Sequence, residues 1–247
     1  MDYQPIKQGI ANSMSPIESA PFVEYRPKKF DICLLIETTL AVVFAVLAIK
    51  LFSLDSTFRA SWLTINGILV IIALTPSIIN RRDFPRFGFN IKSMKESIVV
   101  LGWACIAFLP MTFCGLWLLM FFGFELPLRS VLPQGKSLIY WLFYQFMCIA
   151  LAEEVFFRGY VQNNVLKITN PVNGKLSRLQ QWISILVTAA LFAVVHIIVN
   201  GQIISALVFL PGLVLGWLFI RTKSLFAPIL FHGLANICYV IMIAMLT

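Results

Sequence analysis

The chain alternates between long apolar stretches and short polar segments. Each stretch is close to the roughly 20 residues that a helix needs to cross the hydrocarbon core of a bilayer. Seven stretches are readable, at residues 32–53, 60–79, 97–122, 137–162, 180–200, 203–220 and 225–246. The pattern therefore predicts an all-α fold, a polytopic membrane helical bundle with seven or eight transmembrane helices.

The composition supports one membrane-embedded domain. Hydrophobic residues make up 60% of the 247 residues and charged residues only 12%, whereas an ordinary soluble domain is about half apolar and about a quarter charged. We expect a single transmembrane domain over residues 31–247. Residues 1–30 contain four prolines, mixed charge and no early apolar run, which predicts a retained cytoplasmic tail rather than a secretory signal peptide.

The formal net charge is +8, but the basic residues are scattered at the ends of the apolar stretches. This distribution is typical of topology signals and not of a phosphate-binding face, so we expect no nucleic-acid partner. With Arg158 counted in the fourth loop, most of the 19 Lys and Arg residues fall in the tail and in the even-numbered loops. The asymmetry predicts a cytoplasmic N-terminus and an external C-terminus.

Three ionisable residues lie together in the fourth apolar stretch. Glu153, Glu154 and Arg158 would each cost about 2.5–3.5 kcal/mol at the centre of a membrane helix, so residues of this kind are functional candidates. Glu154 and Arg158 are four apart and share a helix face, which lets them form an ion pair. Glu153 points away from that pair and is suited to accept and donate a proton. A structural ion cluster between helices is the alternative.

The two histidines of the chain also lie in apolar stretches. His196 follows Phe192 by one helical turn, and His232 precedes Asn236 by one turn. A lone histidine on an apolar face is often a packing residue, but His232 and Asn236 project together and could stabilise an oxyanion. Gly233 between them leaves room for a substrate backbone or for helix packing. On the sixth stretch, Gly212 and Gly216 predict a close helix contact.

The three motifs EExxxR, FxxxH and HxxxN, in this order on separate apolar stretches, resemble the CAAX prenyl endopeptidase and bacteriocin-processing family of glutamic intramembrane proteases. The resemblance covers roughly residues 84–240. It implies that Glu153 and His196 activate a water for attack on a peptide carbonyl, and that His232 and Asn236 stabilise the tetrahedral intermediate. It assigns Glu154 and Arg158 a supporting role.

The resemblance further implies an enzyme without a metal or other cofactor. Its substrate would be a membrane-associated peptide or protein, lipidated or with a C-terminal sorting tail. Because the chain has no large soluble portion, we expect a multi-pass integral protein of a prokaryotic inner membrane.

Other functions stay open at this point. A zinc protease could use His196, His232 and Glu153 or Glu154 as ligands, although the chain has no HExxH motif. A proton-coupled transporter could also use buried Glu and His, and a non-catalytic immunity or scaffold protein could share the fold.

Two geometric expectations complete the sequence-based picture. The predicted spans place Glu153 and His196 at depths that differ by more than about 10 Å. The segment 164–178, which contains Pro, Asn and Gly, is predicted to be a long loop.

Overall fold

A computed structural model describes residues 32–54, 62–79, 94–124, 137–169 and 176–246. The predicted tail, residues 1–30, lies outside them. Within these ranges the chain forms helices joined by short turns and contains no strand. The described residues form seven successive helices: α1 Ile32–Leu54, α2 Trp62–Ile79, α3 Met94–Phe121, α4 Leu138–Thr169, α5 Arg178–Asn200, α6 Ile203–Thr222 and α7 Phe226–Leu246. The predicted all-α class is confirmed.

Six of these helices, all except α2, are long and apolar enough to cross a membrane. The remaining helix, α2, has 18 residues with Pro76 close to its end. The helix α3 lies at the edge of the bundle, packed against α6 and α7, and exposes Trp103, Ile106 and Phe121. A bilayer covers such an apolar face, so the chain is a polytopic helical bundle and an integral multi-pass membrane protein.

The fourth helix is longer than its apolar stretch, and the predicted loop at 164–178 is wrong in its first part. Residues 164–169 continue α4, and α5 begins at Arg178 after a capping box formed by Ser177 and Gln180. Polar residues extend α4 because its own backbone and the neighbouring α1 satisfy them. Asn163 donates to the Gly159 carbonyl, and Asn164 donates to Thr38 Oγ1 on α1.

The position of Arg158 also differs from the prediction. The prediction placed Arg158 in the fourth loop, but it lies in α4 with its side chain fully buried. It therefore carries no information about membrane orientation.

Two segments of α4 are π-helical. Tyr144–Ala150 and Val155–Gln162 flank the short α-helical piece Leu151–Glu154 that carries both acids. π-Helical turns are rare and occur often at functional sites. Every residue of Val155–Gln162 is buried, and α4 contacts α1, α2, α5, α6 and α7. It is the central helix of the bundle.

The predicted close contact at the two glycines of α6 is present. A Cβ at Gly212 would lie 3.2 Å from Ala189 Cβ, and one at Gly216 would lie 3.2 Å from Ile185 Cγ2. Such distances leave almost no space for a side chain, so α5 and α6 approach closely along this line. The Gly212 and Gly216 carbonyls accept hydrogen bonds from α4.

Candidate active site

The structure brings Glu153, His196 and His232 together from α4, α5 and α7. Glu153 Oε2 lies 3.9 Å from His196 Nε2 and 3.8 Å from His232 Nε2. The three side chains are partly or largely buried, with His196 the most exposed at 25%. One carboxylate oxygen therefore faces two imidazole nitrogens on two other helices.

The predicted depth difference between Glu153 and His196 is wrong. Because α4 ends at Thr169 and α5 begins at Arg178, Glu153 lies about 24 Å from the end of α4, and His196 about 27 Å from the start of α5. The two helices are antiparallel neighbours, so these positions have nearly equal depth.

The hydrogen bonds of His196 leave one ring nitrogen directed at Glu153. Its Nδ1 lies 2.9 Å from the Phe192 carbonyl oxygen, an acceptor, so Nδ1 carries the proton. In the neutral ring Nε2 is then an acceptor. Glu153 Oε2 has no hydrogen-bond partner among the described residues. The result is a pair of acceptors that face each other across 3.9 Å.

Glu154 connects Arg158 to His232 in a buried network. Arg158 Nη1 donates to Glu154 Oε1 at 3.0 Å, and His232 Nδ1 lies 2.8 Å from the same oxygen. Glu154 and Arg158 are both fully buried. The i, i+4 spacing expected from the sequence thus produces an ion pair, and the tertiary structure adds His232 to it. Glu154 holds the His232 ring so that Nε2 faces Glu153.

The Phe192 ring packs against three polar side chains of the cluster. Its ring centroid lies 4.8 Å from the Arg158 guanidinium carbon and 4.3 Å from the centroid of the His196 ring. The His232 ring meets it edge-on at 6.0 Å. A planar cation over an aromatic face is attractive and excludes water. The Phe of the FxxxH motif therefore packs against all three polar groups.

Two α4 side chains donate hydrogen bonds to backbone carbonyls of α6 and so connect the cluster to that helix. Arg158 Nη2 donates to the Gly212 carbonyl at 3.3 Å, and Gln162 Nε2 donates to the Gly216 carbonyl at 3.1 Å. The two donors are four residues apart on α4, and the two glycines are four residues apart on α6. The sequence analysis did not identify Gln162, although a glutamine one turn after an intramembrane arginine is a signal of the same kind.

Asn236 contacts a residue that the sequence analysis also missed. Its Nδ2 donates to Gln145 Oε1 on α4 at 3.2 Å, and Gln145 is only 3% exposed. His232 and Asn236 lie one turn apart on α7, as expected. An amide in the apolar first half of the fourth stretch was the available signal for Gln145.

The structure decides between the two interpretations of Gly233. A Cβ at this position would lie 2.3 Å from Cδ1 and from Cε1 of Phe146, a distance that atoms cannot adopt without a shift. Gly233 therefore admits the Phe146 ring of α4 against α7. Its role is helix packing beside the site and not space for a substrate backbone.

We expect Gly233→Ala to destabilise the protein by about 1–3 kcal/mol because the new methyl group overpacks Phe146. Thermal unfolding in detergent measures the effect, and Gly115→Ala is the matched control, because an added Cβ there meets nothing within 4 Å. In the Phe146→Ala background the Gly233→Ala substitution should cost much less. Equal stability of the two single glycine variants would contradict this account of the packing.

The described residues contain no group of three or more His, Cys, Asp or Glu side chains placed to hold a metal ion.

The fold and the site together define a helical membrane protein with a buried glutamate and histidine cluster. A family model described as Type II CAAX prenyl endopeptidase Rce1-like matches residues 135–238, a range that contains every candidate residue from Gln145 to Asn236. This match confirms the family that the three motifs predicted, over a shorter range than the expected 84–240. Residues 135–238 are therefore similar to that family, and the match supports a CAAX-type intramembrane protease in general.

No curated protein and no solved structure gives a significant match to this chain.

Proposed function

We propose that the chain hydrolyses a peptide bond of a membrane-associated protein or peptide by a glutamic mechanism. The observation that carries the proposal is the position of Glu153 Oε2, within 3.9 Å of His196 Nε2 and 3.8 Å of His232 Nε2. In the chemistry proposed here, the carboxylate and the His196 ring bind and activate a water, and α7 supplies the donors for the oxyanion.

Water activation follows from the two facing acceptors. A water at the site donates one hydrogen bond to Glu153 and one to His196 Nε2, which leaves an oxygen lone pair for the scissile carbonyl carbon. Attack forms a C–O bond and transfers the water proton to Glu153. The same proton then passes to the leaving nitrogen as the C–N bond breaks, so Glu153 returns to the carboxylate.

The tetrahedral intermediate needs hydrogen-bond donors for its oxyanion. His232 donates Nδ1–H to Glu154, and as an imidazolium it presents Nε2–H to the reaction site. Asn236, one turn further along α7, supplies an amide N–H. Preorganised donors of this kind stabilise developing negative charge and are each worth about 10²–10³-fold in rate.

Charge balance supports this protonation pattern. The two carboxylates of Glu153 and Glu154 face the cations Arg158 and His232, so the buried cluster has no net charge. Uncompensated charge would be costly at this depth. Glu154 and Arg158 take a supporting role in the proposal, since they orient His232 without reaching the substrate.

The family match and the location of the site within a membrane bundle support a membrane-associated substrate. We propose a lipidated protein or a peptide with a C-terminal sorting tail, cleaved in the inner membrane of a prokaryotic cell. Mass spectrometry of membrane peptides should detect uncleaved tails that accumulate in a strain with Glu153→Ala and disappear when the wild-type protein is restored. Identical tail populations in both strains would remove the endopeptidase assignment.

The metal-free form of the mechanism is tested on the same substrate. Purified protein, stripped of metal with a strong chelator, should cleave a synthetic tail peptide at the rate of untreated protein. Loss of activity that zinc alone restores would instead identify a zinc protease with His196 and His232 as ligands.

A further inference from the structure

The contact between Gln145 and Asn236 has no counterpart among the motifs. Gln145 is almost completely buried in an otherwise apolar part of α4, and its Oε1 accepts from Asn236 Nδ2 at 3.2 Å. A polar amide at membrane depth costs free energy unless it is hydrogen-bonded. The pair therefore joins two polar groups on separate helices, one of which is a candidate donor to the oxyanion.

The local structure of α4 places Gln145 for this contact. It lies in the π-helical segment Tyr144–Ala150. The neighbouring Phe146 fills the space at Gly233 on α7, which fixes α7 against this segment. Because Asn236 follows Gly233 by about one helical turn, its amide lies beside Gln145.

We propose that Gln145 is a positioning residue that orients the Asn236 amide for oxyanion stabilisation. An asparagine amide has two N–H donors. One is held by Gln145 Oε1, and the second is then fixed in direction and available to the substrate. The inference rests on the proposed function, because it assigns Gln145 a role only through Asn236.

His232, one turn before Asn236 on α7, is also held by an acceptor on α4, which supports a positioning role for Gln145. On α7, His232 is held by an oxygen of Glu154, and Asn236 is held by an oxygen of Gln145. Both holding residues lie on α4. Each α7 donor therefore has its own acceptor on the central helix, and both donors are ordered before the charge develops, as preorganisation requires.

The test uses Gln145→Met, which keeps the length of the side chain and removes the acceptor. We expect kcat to fall by about 10- to 100-fold with little change in KM, because the loss affects the transition state and not substrate binding. Gln145→Glu retains an acceptor oxygen and should recover part of the loss. Gln202→Met, at an exposed turn before α6, is the control and should cleave at the wild-type rate.

A double-mutant cycle separates positioning from a structural role. In the Asn236→Ala background, Gln145→Met should cause almost no further loss of kcat, since the group that it orients is gone. An equal loss in both backgrounds, or an unchanged kcat in the single variant, overturns the inference. Loss of cleavage in Glu153→Gln together with full activity of Gln145→Met refutes this inference alone, whereas full activity of Glu153→Gln refutes the proposed function.

Discussion

Glu153→Gln is expected to reduce the rate of cleavage by about 10²–10⁴-fold while the protein stays folded. Glutamine has the shape of glutamate but cannot take the proton of the attacking water, and general-base catalysis contributes about 10²–10⁴-fold. The substitution breaks no hydrogen bond of Glu153 Oε2, which has no partner among the described residues, but it removes one carboxylate from the charge-balanced cluster, so stability is measured alongside the rate. Initial rates with a tail peptide in liposomes measure the effect, and thermal unfolding verifies the fold.

The matched control for this prediction is Glu96→Gln. Glu96 is an exposed acid in the first turn of α3, and the same substitution there should leave the cleavage rate unchanged. A Glu153→Gln variant with more than about a tenth of the wild-type rate would require a different general base.

Arg158→Leu is expected to cause the largest loss of stability of any single substitution proposed for this protein. The leucine leaves the fully buried Glu154 carboxylate without its cation, and breaking a buried ion pair costs about 3–5 kcal/mol. The hydrogen bond to the Gly212 carbonyl and the contact with the Phe192 ring are lost as well. Denaturant or thermal unfolding in detergent should show a clearly lower midpoint.

Two further variants make the Arg158 prediction specific. Arg178→Leu, at the exposed start of α5, should leave the unfolding midpoint close to wild type. Glu154→Gln combined with Arg158→Leu should be more stable than the sum of the two single effects, because the uncompensated anion is gone. Additive losses would show that the two side chains act independently.

The hydrophobic pattern was sufficient for the architecture. A stretch of about 20 apolar residues has one low-energy conformation in a bilayer, a helix that satisfies its own backbone. This requirement is local, and for that reason the seven predicted stretches correspond to the seven helices of the described residues. The spacing of Glu154 and Arg158 was similarly informative, since i and i+4 share a helix face in any context.

The end of α4 could not be predicted on the same grounds. Arg158, Asn163 and Asn164 are polar, and polar residues at the end of an apolar stretch ordinarily lie in water. Here a carbonyl on α6 and a hydroxyl on α1 satisfy Arg158 and Asn164 inside the bundle. These partners are distant in sequence. They determine where α4 ends, and the end of α4 sets the depth of Glu153 relative to His196.

By itself, the sequence determined the helical membrane fold, the set of candidate residues and their grouping on single helices. Those properties depend on side-chain solubility and helical periodicity, both of which act over short stretches of chain. Only the tertiary structure decided that Glu153 faces both imidazoles, that Glu154 orients His232, that Gln145 meets Asn236 and that Phe146 occupies the space at Gly233. Each of these contacts joins two helices, and their register is set by how complete side-chain surfaces pack together.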